Sequence, residues 1–239
     1  MYYKLLLSII LFSTTAHAAS FNCDQASTKV EKLICSDTQI SKLDDEISFE
    51  YKRALSEGYN SPQQIKNEQR AWLKKRNNCI NSECLIFEYK TRILELRSNC
   101  WPDASAMHVG LILRKKELIM TNKLQMKHKE LIALISIKKE INGKEYLAEQ
   151  RLVEAVKAQQ TAWEDYKDKE CELIGVLSGG TSTWQSTRSV TCELNLTAQR
   201  YKRLRDAVNC VKRIPLKNRQ YDMQKCLYQI APLAVPLEK

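Results

Sequence analysis

The chain has 239 residues and a formal charge of +10 at neutral pH, with only six glycines and five prolines. That balance, rich in Lys, Glu, Leu, Gln and Ala, excludes a sheet-rich secreted fold and predicts helices. Charge divides unevenly: residues 19–106 carry 13 basic and 13 acidic side chains, residues 107–239 carry 24 and 15, so the excess of +9 belongs to the second half.

The first eighteen residues predict a secretory signal. Lys4 supplies the positive start, Leu5 to Phe12 the apolar run, and Ala16-His17-Ala18 the small-x-small cleavage site. The run is too short to span a bilayer, and Phe21 and Asn22 ahead of Cys23 do not form a lipidation box. The expectation is a periplasmic or secreted bacterial protein beginning near Ala19. It has no membrane span after cleavage and no nucleic-acid partner. Export lets the nine cysteines oxidise, since all lie beyond the signal.

A short helix is predicted from Asp24 to Ile34. Ser36-Asp37-Thr38-Gln39 reads as a capping box opening a second helix, with Ile40, Leu43, Ile47 and Tyr51 as its apolar stripe and an end near Gly58. Ser61-Pro62-Gln63-Gln64 opens the next, which places Ile65, Gln69, Trp72 and Arg76 on one face. Ser82 is the expected cap of a helix carrying Ile86, Tyr89, Ile93 and Leu96. Trp101-Pro102-Asp103 then breaks the pattern and marks a boundary.

Beyond it a helix is predicted from Leu111 to Ile141, turned by Asn142-Gly143. Another runs from Lys144 to Glu170 with Leu152, Val156, Gln159, Trp163 and Tyr166 on one face, and a third from Cys192 to Val208 with Leu194, Ala198, Tyr201 and Leu204 inward. A short helix at Tyr221 to Gln229 follows. Short connections between amphipathic helices imply antiparallel neighbours. The expected fold is all-α: two tandem, disulfide-stapled small helical bundles at 19–101 and 102–209, with the signal at 1–18 and an extension at 210–239.

The two halves echo each other. Gln69-Arg70-Ala71-Trp72 returns as Gln160-Thr161-Ala162-Trp163, and Arg76 and Lys167 follow at the same distance. Cys84 leads through Arg92 to Leu96-Arg97 as Cys192 leads through Arg200 to Leu204-Arg205. Such a repeat delimits the structural unit before a fold is assumed. The second copy has no counterpart of Cys23 and Cys35 yet keeps Cys171 and Cys192. The pairing consistent with both copies is therefore local: Cys23–Cys35, Cys79–Cys84 and Cys171–Cys192. A local Cys210–Cys226 bridge leaves Cys100 odd; an inter-copy Cys100–Cys210 bridge is the alternative and leaves Cys226 over.

Phe21-Asn22-Cys23, Val30-Glu31-Lys32-Leu33-Ile34-Cys35-Ser36-Asp37, Leu43-Asp44, Glu68-Gln69-Arg70-Ala71-Trp72, Arg76-Asn77 and Cys84-Leu85 together resemble the lysozyme inhibitor LprI family. The resemblance covers residues 21–97 in full and, in degenerate form, residues 146–205. It implies a small exported all-helical domain and, for the namesake member, inhibition of lysozyme. The chain departs from the namesake in its expected lack of a lipid anchor, its second copy and its basic second half. Common animal lysozymes are basic, and like charges oppose association. The neutral first copy is thus the expected face for lysozyme, and the second copy serves another partner.

Catalytic, cofactor and metal motifs are absent. His108 and His128 form no metal-ligand pair and read as exposed helical residues. Gly175-Val176-Leu177-Ser178-Gly179-Gly180-Thr181-Ser182 lacks the Gly-Lys-Ser/Thr of a phosphate loop and reads as a flexible loop held by Cys171 and Cys192. Trp72 and Trp163 are expected core anchors, with Gln69, Arg76, Gln160 and Lys167 satisfying buried polar groups. Partner contacts are expected from Asn77, Asn78, Asn81 and Ser82 in one loop and from Ser178, Gly179, Gly180 and Thr181 in the other. Arg200, Lys202, Arg203 and Arg205 form the expected polyanion face, with salt-sensitive binding. The function expected is non-catalytic occlusion of lysozyme or another wall hydrolase. The alternatives are a binding module for an anionic envelope polymer and an immunity protein against a wall-targeting toxin.

Overall fold

A computed structural model describes residues 19–136, 147–215 and 219–230. Regular structure there is entirely helical: α1 Lys29–Ser36, α2 Thr38–Glu57, α3 Pro62–Asn77, α4 Ser82–Ser98, α5 Ala106–Ile135, α6 Leu147–Leu177, α7 Ser182–Arg213 and α8 Arg219–Leu227, preceded by a 3-10 turn at Cys23–Gln25. The predicted signal segment and the Asn142-Gly143 turn lie outside the described residues. The chain forms two compact units that part between Ile93 and Leu94, inside α4, with Glu57–Asn60 assigned to the second.

Local chemistry sets the helix starts. Thr28 Oγ1 accepts from the Glu31 amide at 3.1 Å while the Glu31 carboxylate accepts from the Thr28 and Ser27 amides, each at 2.9 Å. Those backbone donors hold the Glu31 carboxyl down at about 2. The cap of α2 is Asp37 rather than Ser36, because the Asp37 carboxylate accepts from the Gln39 and Ile40 amides. Asn81, not Ser82, begins α4 by accepting from the Cys84 amide at 2.9 Å. Ser61 caps α3, with Pro62 at its first position.

In the first unit Ile34, Ile40, Ile65, Leu85 and Tyr89 are fully buried. Each sits on the inward stripe of its own helix, and apolar burial supplies the favourable free energy that orders the chain.

In the second unit α5 and α7 run parallel, with Ala106 beside Thr187 and Glu130 beside Lys212. Helix α6 runs antiparallel to α7, with Gly175 beside Gln185 and Gln160 beside Arg200. The core joins Leu124, Leu131, Ile135, Val156, Leu204 and Val208, and α8 closes it with Met223, Cys226 and Leu227. Glycine is required where helices touch: a Cβ on Gly175 would lie 2.9 Å from the Gln185 carbonyl oxygen.

The main departure from the sequence expectation is α7. It begins at Ser182 rather than Cys192, and α6 continues to Leu177. The 171–192 segment is therefore a helical hairpin with a four-residue turn, not a flexible loop. Gly179 and Gly180 make that turn, at φ 65° and 82°, where a side chain would be strained. Cys171 and Cys192 thus staple one helix to the other.

Candidate functional site

Both units build a polar frame around the repeated tryptophan. In the first, Trp72 is buried between α3 and α4, donating Nε1–H to the Glu88 carbonyl at 3.0 Å. Its ring meets Tyr89 edge-on at 5.3 Å, and the Arg76 guanidinium lies 5.6 Å from its centroid. Tyr89 donates its hydroxyl to Asp44 Oδ1 at 2.6 Å, and Arg76 donates to the same hydroxyl at 3.4 Å and stands 3.8 Å from the carboxylate. The amide and hydroxyl of Ser20 donate to the other Asp44 oxygen. Burial, then the Asp44 charge, pushes the Tyr89 phenol well above its ordinary range, so it remains a donor. Arg92 closes the frame, with Nε to Gln69 Oε1 at 3.0 Å and Nη1 to Glu68 at 3.2 Å.

The second unit repeats this with altered chemistry. Arg200 Nε donates to Gln160 Oε1, also at 3.0 Å, and its other nitrogens donate to Gln159 and, at 2.7 Å, to the Ile230 carbonyl. Trp163 lies against two cations, Lys167 at 5.9 Å and Arg200 at 5.6 Å. Lys167 stands 3.8 Å from Glu117, a buried carboxylate on α5, as Arg76 stands from Asp44. Gln159 occupies the repeat position of Glu68, and Thr197 that of Tyr89. Asp44 and Glu117 are the members that the repeat did not reveal; Leu43-Asp44 is part of the family pattern, whereas Glu117 had no sequence signal.

Arg200 is a correction. It is only 3% exposed, so it does not belong to a polyanion-binding face. The reason is its place on the inward stripe of α7 with Thr197, Leu204 and Val208. Burial lowers its guanidinium to about 10, which leaves it charged near neutrality. Of its three companions, Arg205 pairs with Asp206 at 2.9 Å, while Lys202 and Arg203 are exposed. His128 is half-buried rather than exposed. Its Nε2 is buried without a hydrogen-bond partner, and desolvation lowers its pKa.

Four bridges link Cys23–Cys35, Cys79–Cys84, Cys171–Cys192 and Cys210–Cys226, with Cα atoms 5.8, 5.5, 5.4 and 5.5 Å apart. Cys100 keeps its thiol, which donates to the Leu96 carbonyl. The inter-copy Cys100–Cys210 alternative is therefore not adopted.

Each hairpin end presents its turn. In the first, Asn77 ends α3 and accepts from Arg76, Asn78 caps it, and Asn81 and Ser82 open α4. In the second, Ser178 donates to the Gly175 carbonyl at 2.7 Å, Gly179 and Gly180 turn the chain, and Thr181 precedes α7. All these residues except Ser82 are exposed. No group of three or more His, Cys, Asp or Glu able to hold a metal ion occurs among the described residues, and no described helix is long and apolar enough to cross a membrane.

The family described as "Lysozyme inhibitor LprI" matches this chain twice, over residues 22–96 and over residues 120–204. The chain belongs to the lysozyme inhibitor LprI family. Each LprI match contains one tryptophan frame's Gln, Trp and Arg and one stapled hairpin. The second match begins within α5, well before residue 146 where the sequence resemblance had started. "Lipoprotein LprI" of Mycobacterium bovis (strain ATCC BAA-935 / AF2122/97) and of Mycobacterium tuberculosis (strain CDC 1551 / Oshkosh) is 29% identical over 90 residues. The alignment takes in 35% of this chain and 45% of theirs, so the chain spans under half the length of these curated LprI proteins. No solved structure matches the chain.

Proposed function

We propose that this LprI-family chain is an exported, non-catalytic protein that inhibits a lysozyme or a related wall hydrolase by occluding its cleft with a rigid hairpin end. The observation that carries this reading is the conjunction of two family matches with two bridge-stapled helical hairpins. A projecting element held in its bound shape loses little entropy on docking, which is how a small apolar surface gains useful affinity. The turn residues Asn77, Asn78, Asn81 and Ser82, or Ser178, Gly179, Gly180 and Thr181, are the proposed contacts. The frame residues Gln69, Trp72, Arg76, Gln160, Trp163 and Lys167 set the hairpins' geometry and touch no partner. The polymer-binding alternative is weakened by the burial of Arg200.

Oxidised protein beginning at Ala19, titrated against lysozymes of different types, tests the reading through muramidase activity. Stoichiometric loss of activity that disappears on reduction supports it. Full activity under a large excess of inhibitor overturns it.

A further inference from the structure

The two hairpin ends are not equivalent surfaces. At the first, between repeat-equivalent positions 74 and 80, the chain carries Lys74, Lys75 and Arg76 and no acid. Ile80 is its exposed apolar side chain, flanked by asparagines, and both lysines are exposed. At the second, the equivalent span runs from 165 to 188, and residues 173–187 contain no charge at all. Leu173, Ile174, Val176, Leu177 and Trp184 project there with exposures of 52, 42, 61, 72 and 42%. Five exposed apolar side chains gathered at one uncharged hairpin end of a polar protein mark an interaction site.

The collar of this apolar end is acidic. Asp165, Asp168, Glu170 and Glu172 occupy the preceding turns of α6. Of the bases among them, Lys167 lies 3.3 Å from Asp168 and 3.8 Å from the buried Glu117, and Lys169 is taken up by Asp165 at 2.8 Å, which leaves Glu170 and Glu172 in excess. Arg188 is exposed on α7. The end is also rigid: the Cys171–Cys192 bridge ties its two helices, Gly175 permits their close approach, and Gln185 donates to the Gly180 carbonyl at 3.1 Å.

We infer that the hairpin end of the second unit, rather than that of the first, is the docking surface, and that its partner is a cationic protein with an apolar-lined cleft. This inference rests on the inhibitory reading above and deepens it. Charge complementarity favours the second end: Lys74 and Lys75 beside Ile80 outnumber Glu83 and repel a basic partner, and Glu170 and Glu172 below Leu173 attract one. The net +9 of the second half pointed the other way, because its charges lie mainly on other stretches of the helices. An exposed tryptophan on the same hairpin end as four exposed aliphatic side chains has the composition of an interface hot spot.

The test uses the full oxidised chain from Ala19 and a basic animal lysozyme, with binding measured by calorimetry alongside inhibition. Val176→Ser with Leu177→Ser is expected to weaken binding by at least about tenfold with the melting temperature unchanged, since both residues are exposed. Trp184→Ala provides an independent second variant with the same expected loss. Ile80→Ser is expected to stay within about twofold. Asp168→Lys with Glu172→Lys is expected to slow association about tenfold at low salt and to flatten its salt dependence. Inhibition that survives the tip variants and falls with Ile80→Ser overturns the inference and leaves the inhibitory reading standing. Binding without inhibition, lost in the tip variants, overturns that reading and upholds the inference. No binding to the basic lysozyme, with inhibition of a lysozyme that is not basic, overturns the inference and leaves the inhibitory reading standing.

Discussion

In the first unit the repeated tryptophan is buried against a tyrosine that is hydrogen-bonded to a carboxylate, with one arginine over its ring. In the second the tryptophan is only partly buried and lies against two cations, with threonine where the tyrosine stood. Two contacts persist through these changes: an arginine Nε donating to a glutamine at 3.0 Å, and a cation 3.8 Å from a buried carboxylate. What persists is the set of groups that cannot be buried singly without an unpaired donor or charge. What varies is packing volume, which a helical pair absorbs by small shifts. The surfaces vary most, and there the units diverge from a basic polar end to an acidic apolar one.

The sharpest way to break this comparison is to remove each tryptophan. Trp72→Ala is expected to cost about 3–5 kcal/mol in denaturant unfolding, as a buried aromatic does. Trp163→Ala is expected to cost about half as much, because its ring is already partly in water; equal losses would show that the frames are energetically alike. The staples come next. Replacing Cys171 and Cys192 by serine is expected to lower stability by about 3 kcal/mol, and replacing Cys79 and Cys84 by about 2, because the closed segments span 21 and 5 residues. Calorimetric melting of the two double variants checks the order.

A milder change tests the Glu68–Gln159 exchange. Gln159→Glu gives Arg200 the acidic partner that Arg92 already has, and is expected to add about 1 kcal/mol through a charge-assisted bond. A lower melting temperature would mean that the amides already satisfy Arg200. The smallest effect concerns pH. Burial holds the His128 pKa below its ordinary 6.5, with the Arg200 and Lys157 charges also lowering it and a hydrogen bond to the Val156 backbone and the Glu164 charge opposing. The unfolded chain therefore takes up this proton first, so stability is full above pH 6.5 and falls as the pH drops through the region below it. Solvent screening keeps the effect well under about 1 kcal/mol. His128→Gln should remove that part of the slope; an unaltered slope would assign it to other groups.

Helix class, the repeat and the family were legible in the residues themselves. Ser61-Pro62 and the apolar spacing of α2 to α4 are local signals, and local signals survive without knowledge of partners. The Gln, Trp and Arg echo was visible because both copies keep the same groups under the same burial constraint. The local cysteine pairing was argued from the missing counterparts of Cys23 and Cys35, and the positions of the sulfurs agree with it.

The tertiary structure decided the rest. Arg200 read as one of a run of surface bases, and only the packing of α7 against α6 turned it inward. Glu117 joined the frame because α5 lies across Lys167, a proximity that chain spacing does not encode. The segment before Cys192 read as a loop for its glycine, serine and threonine content, yet Ser182 to Thr191 are helical because α5 and α6 cover one side of them. Charge summed over half the chain suggested a basic surface, whereas the local arrangement set an acidic collar beside an apolar end. Composition and periodicity are sums along the chain; burial and electrostatic potential depend on distances across it, and those exist only once the helices have packed.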